Sequence, residues 1–409
     1  MDPFSVPDTR SLIFGWLDYD DLAKAARVCR LWRDALRGTR RVLLFYEFLR
    51  QPAAERQHWA ISRGHLSLFL YGLTRGLFVS LNMAVCWAAA GGHLDTTKRI
   101  VEMGAHPGGA LSSAATKGHL EIVRYAAGFC SPCHYQRALW LAAQSGHFDV
   151  VMYLVAMGAT NREVALHAAA RKGQLHVVRQ LVEAYSICCP DAMWSAAGEG
   201  HLEVVEYFVT VGFDANLSAA LCQAASGGKL HVVKYLVGQG ATNLDLALIR
   251  AGEAGQLESV KYLVEMGATD WNMALVRAAE WGRLHVVQYL VELGATNLDG
   301  ALSETAEAGE LDTVRYLVEM GATDLNAALV MAAGEGNLDV VKYLVEMGAT
   351  DLGKALCKAK EEDRDDVVKY LCRRIEQCAR TDLSQRHVGE KRRIEEEPPG
   401  PDRKVQRLH

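Results

Sequence analysis

One interval governs how this chain can fold: the phrase Gly-x-Leu, once with Phe for Leu, returns every 26–28 residues. Its glycines are Gly64, Gly92, Gly118, Gly146, Gly173, Gly200, Gly228, Gly255, Gly282, Gly309 and Gly336, and Asp363 takes the slot in a last, degenerate copy. From Gly228 onward the interval is always 27. Twelve copies therefore span residues 53–376. A unit this short cannot bury an apolar face alone, so the copies must stack into one quasi-linear array.

Residues 322–348 show the unit clearly. Asp324 is a good helix N-cap. Ala328, Leu329, Ala332 and Ala333 fall on one face of a first helix. Glu335-Gly336-Asn337 breaks that helix, glycine supplying the backbone freedom of the turn. Leu338, Val341, Leu344 and Val345 line one face of a second helix, and Gly348 ends it. The spacing predicts helix, tight turn, helix and short loop in every copy, an all-α solenoid.

The phrases Gly200-His201-Leu202-Glu203-Val204-Val205 and Val341-Lys342-Tyr343-Leu344-Val345-Glu346-Met347-Gly348-Ala349 resemble ankyrin repeats. Ankyrin units run ~33 residues and carry a β-turn with Thr-Pro-Leu-His before the first helix. Here that slot reads Asn326-Ala327-Ala328-Leu329 and the unit is 27 residues long. The projecting hairpins are therefore expected to be mostly lost, leaving a loop of the kind Gly321-Ala322-Thr323-Asp324. Shortened units of this sort resemble those encoded by large DNA viruses of amoebae, which would make this a viral protein acting in a host cell.

The first forty residues do not fit the period. They carry Val6-Pro7-Asp8, Leu12-Ile13-Phe14-Gly15-Trp16-Leu17, Asp20-Asp21-Leu22 and Val28-Cys29-Arg30-Leu31-Trp32, the pattern of three short helices with more apolar surface than so small a module can bury. The stretch resembles an F-box. That resemblance implies docking on the Skp-family adaptor of a cullin–RING (SCF-type) ubiquitin ligase through Pro7, Leu12, Ile13, Leu17, Leu22, Val28, Cys29 and Trp32. The expected organisation is an F-box-like module at 1–40, a linker helix at 41–52, the repeats at 53–376 and a disordered tail at 377–409. The tail is expected from its proline cluster, its charge and its few apolar residues. Its Lys391-Arg392-Arg393 and Arg403-Lys404 have the composition of a nuclear-import signal.

Composition bounds the partners. Half the residues are hydrophobic and 23% charged, with a net charge of -5, so no basic footprint for nucleic acid is present. No signal peptide opens the chain, and no apolar run reaches the ~18 residues of a membrane helix. A soluble, monomeric, intracellular protein of the cytoplasm or nucleus is expected. The ten cysteines show no disulfide spacing.

Several residue patterns suggest chemistry, and each has a plainer account. Cys130-Ser131-Pro132-Cys133-His134 matches a haem-attachment string but falls in an inter-repeat loop of a chain without an export signal. His65, His93, His119, His147 and His201 occupy one repeat slot, and His176, His231 and His285 another. One imidazole per repeat makes a ridge that does not close around an ion, and turn hydrogen bonding is expected instead. The tyrosines at 125, 153, 207, 235, 262, 289, 316, 343 and 370 share a slot and are expected to pack repeat on repeat. Zincin, P-loop, nucleophile-elbow and dinucleotide motifs are absent from the sequence. No catalytic residue, metal or cofactor is assigned, and the protein is not expected to be an enzyme.

Slots that vary along the array are free for recognition. Two residues past the buried Leu of each first helix the sequence runs Trp87, Ser113, Leu141, Ala168, Ser195, Gln223, Arg250, Arg277, Glu304, Met331 and Lys358. The slot is expected to point outward, with Arg250, Arg277, Trp281, Glu304 and Met331 as candidates for contact with a protein target. The combined reading is a substrate-recognition adaptor. The alternative is a non-catalytic scaffold or decoy whose N-terminal module only caps the array.

Overall fold

The computed structural model describes residues 44, 47–52, 55–74, 80–187, 189–212 and 216–396, with side chains described to Arg380. The expected F-box-like module, and with it Pro7, Leu12, Ile13, Leu17, Leu22, Val28, Cys29 and Trp32, lies outside the described residues. Of the expected linker helix, residues 44 and 47–50 are described and helical.

Among the described residues, twenty-four helices run from Arg56 to Glu396 as twelve successive pairs, and no strand occurs. They fall into two compact units, Met1–Asn216 and Leu217–His409. The N-terminal unit holds the pairs from Arg56–Ser62 with Leu66–Thr74 to Pro190–Glu199 with Leu202–Thr210. The C-terminal unit holds those from Leu217–Ser226 with Leu230–Gly238 to Leu352–Glu361 with Asp365–Glu396.

Within each unit the first helices of adjacent repeats lie close along one layer, while successive second helices touch more sparsely. The cause is side-chain size. Ala328, Leu329, Ala332 and Ala333 are all fully buried, and their counterparts Ala274, Leu275, Ala278 and Ala279 are as well. Alanines let first-helix backbones approach. Larger groups, such as Val340, Val341 and Leu344, fill the space beneath the second helices. Leu338, expected in that core, is only half-buried. It is the first residue of its helix, at the turn, where the packed layer ends.

The turn glycines have a specific duty. Gly309 has φ +84°, and a Cβ there would lie 2.7 Å from Oδ1 of Asn337 in the next repeat. Both the left-handed backbone and the close approach favour glycine. Asp363 occupies the slot with φ 55°, a conformation Asp tolerates better than most side chains.

The short loops replace hairpins with a staple. Asp299, second residue of its first helix, accepts at Oδ1 from the backbone N–H groups of Thr323 (2.6 Å) and Asp324 (2.9 Å) in the next loop. Asp324 in turn caps its own helix, accepting from Ala327 N at 3.0 Å. Asp245, Asn272 and Asn326 each accept the same two N–H groups one repeat on. Backbone donors that a hairpin would have paired are thus satisfied by one carboxylate or amide.

The last helix continues to Glu396, through much of the segment whose composition reads as a tail. Its buried residues, Val367 and Leu371, lie near its start, and residues 376–380 are all exposed. The tail expected from residue 377 is thus helical as far as Glu396.

Candidate interaction surface

The surface built by the first helices differs from repeat to repeat. In the C-terminal unit the slot two past the buried Leu carries Gln223, Arg250, Arg277 and Met331, all exposed, with Glu304 and Lys358 half-buried. In the N-terminal unit the expected outward direction fails. Ala168 is 3% exposed, and Trp87, Ser113, Leu141 and Ser195 are half-buried. Ser195 bonds His167 Nε2 at 2.7 Å across the repeat boundary, and Trp87 meets His58 edge-on at 4.9 Å. The reason is the closeness of the first-helix layer: a short side chain at this slot lies among its neighbours, and only a long one carries its head group to solvent.

In the C-terminal unit two adjacent first helices enclose a groove of about 340 Å³. Leu246, Ile249, Arg250 and Glu253 line it from Leu244–Ala254, and Met273, Arg277, Glu280 and Trp281 line it from the next repeat. Leu246, Met273 and Trp281 are 40%, 45% and 52% exposed, so this groove presents apolar surface to solvent. Arg250 is paired with Glu253 at 3.0 Å and Arg277 with Glu280 at 2.6 Å, each within its own helix. The Glu280 carboxylate, then those of Glu253 and Glu304, hold the Arg277 guanidinium more firmly protonated than usual. Of the sequence candidates, Arg250, Arg277 and Trp281 meet in the groove, while Glu304 and Met331 stand one and two repeats beyond Arg277.

Leu246, Ile249 and Met273 were not among the candidates. Their signal was legible: Leu246 and Met273 share a slot filled by Gly300 and Ala327 in the following repeats. A slot that holds large apolar groups in two adjacent repeats and small ones afterwards marks a local surface.

The remaining patterns make contacts within and between repeats. Nε2 of His93, His119, His147 and His201 lies 2.9–3.1 Å from a carbonyl near the C-terminus of the preceding repeat's first helix (Ser62, Ala90, Thr116 and Arg171). These contacts occupy carbonyls that a helix end leaves unpaired. Gln174, Arg283, Asn337 and Arg364 fill the same role elsewhere in the array. The tyrosine slot is half-buried throughout, and a cation from the preceding repeat lies over several rings, as Arg315 does over Tyr343 at 5.0 Å. At the C-x-x-C-H string, Ser131 Oγ lies 3.0 Å from both Cys133 Sγ and His134 Nδ1, and burial pushes the Cys130 thiol up. Among the described residues no group of three ligating side chains is placed to hold a metal ion, and no helix is long and apolar enough to cross a membrane.

A family model described as ankyrin repeats (3 copies) matches residues 85–163, 111–191, 192–273, 221–300 and 302–382. One described as F-box-like matches residues 8–42, so Pro7 stands just before the matched segment. Among solved structures, the crystal structure of the human ASB11 ankyrin repeat domain is similar at 22% identity and a TM-score of 0.37, over 44% of this chain and 96% of that one. No curated protein matches. With ankyrin models matched over more than half its length, and helix pairs throughout the matched region, the chain belongs to the ankyrin-repeat family and carries an F-box-like segment ahead of the array.

Proposed function

We propose that this protein is a substrate-recognition subunit of a cullin–RING ubiquitin ligase. Its F-box-like segment docks on a Skp-family adaptor, and the first-helix surface of the C-terminal unit holds a protein target. The observation that carries this reading is the joint presence of an F-box-like match at 8–42 and a groove in the repeats lined by apolar and charged side chains. The chain contributes proximity: a target held on the array meets the ligase at a high effective concentration, with no bond made or broken by this protein. It acts as a monomer in the cytoplasm or nucleus. The 27-residue unit favours an origin among large DNA viruses of amoebae, and hence a host target.

Combining Pro7→Ala with Leu12→Ala tests the ligase arm. The double variant is expected to lose capture of purified Skp-family adaptor while keeping the helicity and thermal transition of the wild type. If the wild-type chain captures no adaptor, the protein is a scaffold or decoy. If the variant instead unfolds the first repeats around Trp59 and Leu66, the N-terminal segment is a cap.

A further inference from the structure

The groove in the C-terminal unit has a chemical polarity that selects its occupant. Its apolar lining, Leu246 and Met273, lies near the start of two adjacent first helices, and Trp281 lies just past the end of the second. In the slot of Trp281 the neighbouring repeats carry Ala254 and Ala308, so the indole stands between small residues. Charge is unbalanced around it. Arg250 and Arg277 are each committed to a glutamate of their own helix. Glu304 and Glu307, on the next first helix, make no ion pair among the described residues.

We infer that this groove receives a basic segment of the target, in which an apolar side chain enters between Leu246 and Met273 and a following arginine or lysine rests against Trp281 on the glutamate side. An exposed indole attracts a cation over its face. Two glutamates without ion pairs, set against the one guanidinium of Arg283, whose Nε bonds the Glu253 carbonyl, and beside two internally neutralised pairs, favour a positive partner over an acidic one. The volume, about 340 Å³, suits one or two side chains rather than a folded surface, so the occupant is an exposed peptide segment.

This inference rests on the proposed target-binding role of the first-helix surface and is separable from it. The probe is a set of short fluorescein-labelled peptides with identical leucines and with arginine, glutamate or serine at the remaining positions. Their anisotropy is read with the full-length protein. The arginine peptide is expected to bind at least about tenfold tighter than the glutamate peptide, with an affinity that falls as salt rises. Trp281→Ala, and separately Glu304→Gln with Glu307→Gln, should each weaken it about fivefold or more. Trp281 is exposed and Glu304 and Glu307 are half-buried, and unchanged helicity checks that the variants fold. Equal binding of the three peptides, preference for the glutamate peptide, no binding at all, or indifference to Trp281→Ala overturns the inference. Adaptor capture measured on the same preparations separates the two readings, because it reports on residues 8–42 and not on the groove.

Discussion

The two units repeat one plan with different side chains on the same layer. At the slot two past the buried Leu, the N-terminal unit places Ala168, Ser195 and Leu141, which lie buried or half-buried among adjacent first helices. The C-terminal unit places Arg250, Arg277 and Met331, which reach solvent. Helix starts differ too. Pro107, Pro132 and Pro190 open first helices in the N-terminal unit, whereas Asn243, Asp270, Asn297 and Asp324 cap four consecutive ones in the C-terminal unit. A short side chain at this slot stays among its neighbours, whereas most of the long ones in the C-terminal unit reach solvent.

The largest expected effect tests that difference at one slot. Ala168→Asp should destabilise the N-terminal unit by about 3 kcal/mol or more, because Ala168 is 3% exposed and a carboxylate there is buried without a partner. Met331→Asp, at a position 38% exposed, should cost no more than about 0.5 kcal/mol. Urea unfolding of the two variants against wild type measures both. Equal losses would mean that the slot faces the same way in both units.

The loop staple ranks next. Asp299→Ala removes the acceptor of two backbone N–H groups and should cost about 1–2 kcal/mol. Asp299→Asn should be nearly silent, since Asn272 and Asn326 already hold the same contacts. Asn82→Ala should cost less, because Asn82 accepts only from His106 N in the N-terminal unit. Helix caps follow. Asp270→Ala should lose about 1 kcal/mol with its bond to Met273 N. Ser131→Ala should lose less, because Ser131 Oγ bonds Cys133 and His134 instead of its own helix's backbone. Thermal melts of the five variants sharpen the contrast between the units.

The smallest effect is on pH. Burial, the largest cause, raises the phenols of Tyr289, Tyr316, Tyr343 and Tyr370 in the C-terminal unit, and those of Tyr125 and Tyr207 in the N-terminal unit. A raised folded-state value means the contribution is fully present below the unfolded phenol value of about 10 and is lost as pH climbs through the folded value. Asp299 has the opposite sign. The N–H of Asp324 and then that of Thr323 lower its carboxyl, so its contribution is present above the usual carboxylate range and is lost as pH falls through the folded value. Phe at 289, 316 and 343 should blunt alkaline unfolding more than Phe at 125 and 207. Helicity and tyrosine absorbance followed together in a pH titration read this out.

Much of the architecture was legible because its signals are local. Glycine at each turn, the alanine pairs of the first helix and the aliphatic face of the second repeat in phase, and each is interpretable within its own unit. What escaped depends on neighbours. Asp245, Asn272, Asp299 and Asn326 are visible as a polar slot 27 residues apart, yet their function is to hold the next repeat's loop, a contact 24 and 25 residues away. The direction of the slot at Ala168 depends on how closely first helices pack, which one unit's periodicity does not report. Leu338 has the right phase for the core but sits where the helix begins. At the groove, Arg250, Arg277 and Trp281 stood out as departures from the repeat, whereas Leu246 and Met273 did so only when read against Gly300 and Ala327.

The proposed function requires one chain to carry two independent binding surfaces, an adaptor-binding segment at 8–42 and a groove in the C-terminal unit. Sedimentation of the full-length protein with purified Skp-family adaptor and the fluorescein-labelled arginine–leucine peptide, separately and together, tests it directly. A ternary complex is expected, in which each ligand binds with the affinity it shows alone. Exclusion of the peptide by the adaptor, or failure of the adaptor to bind, would contradict it.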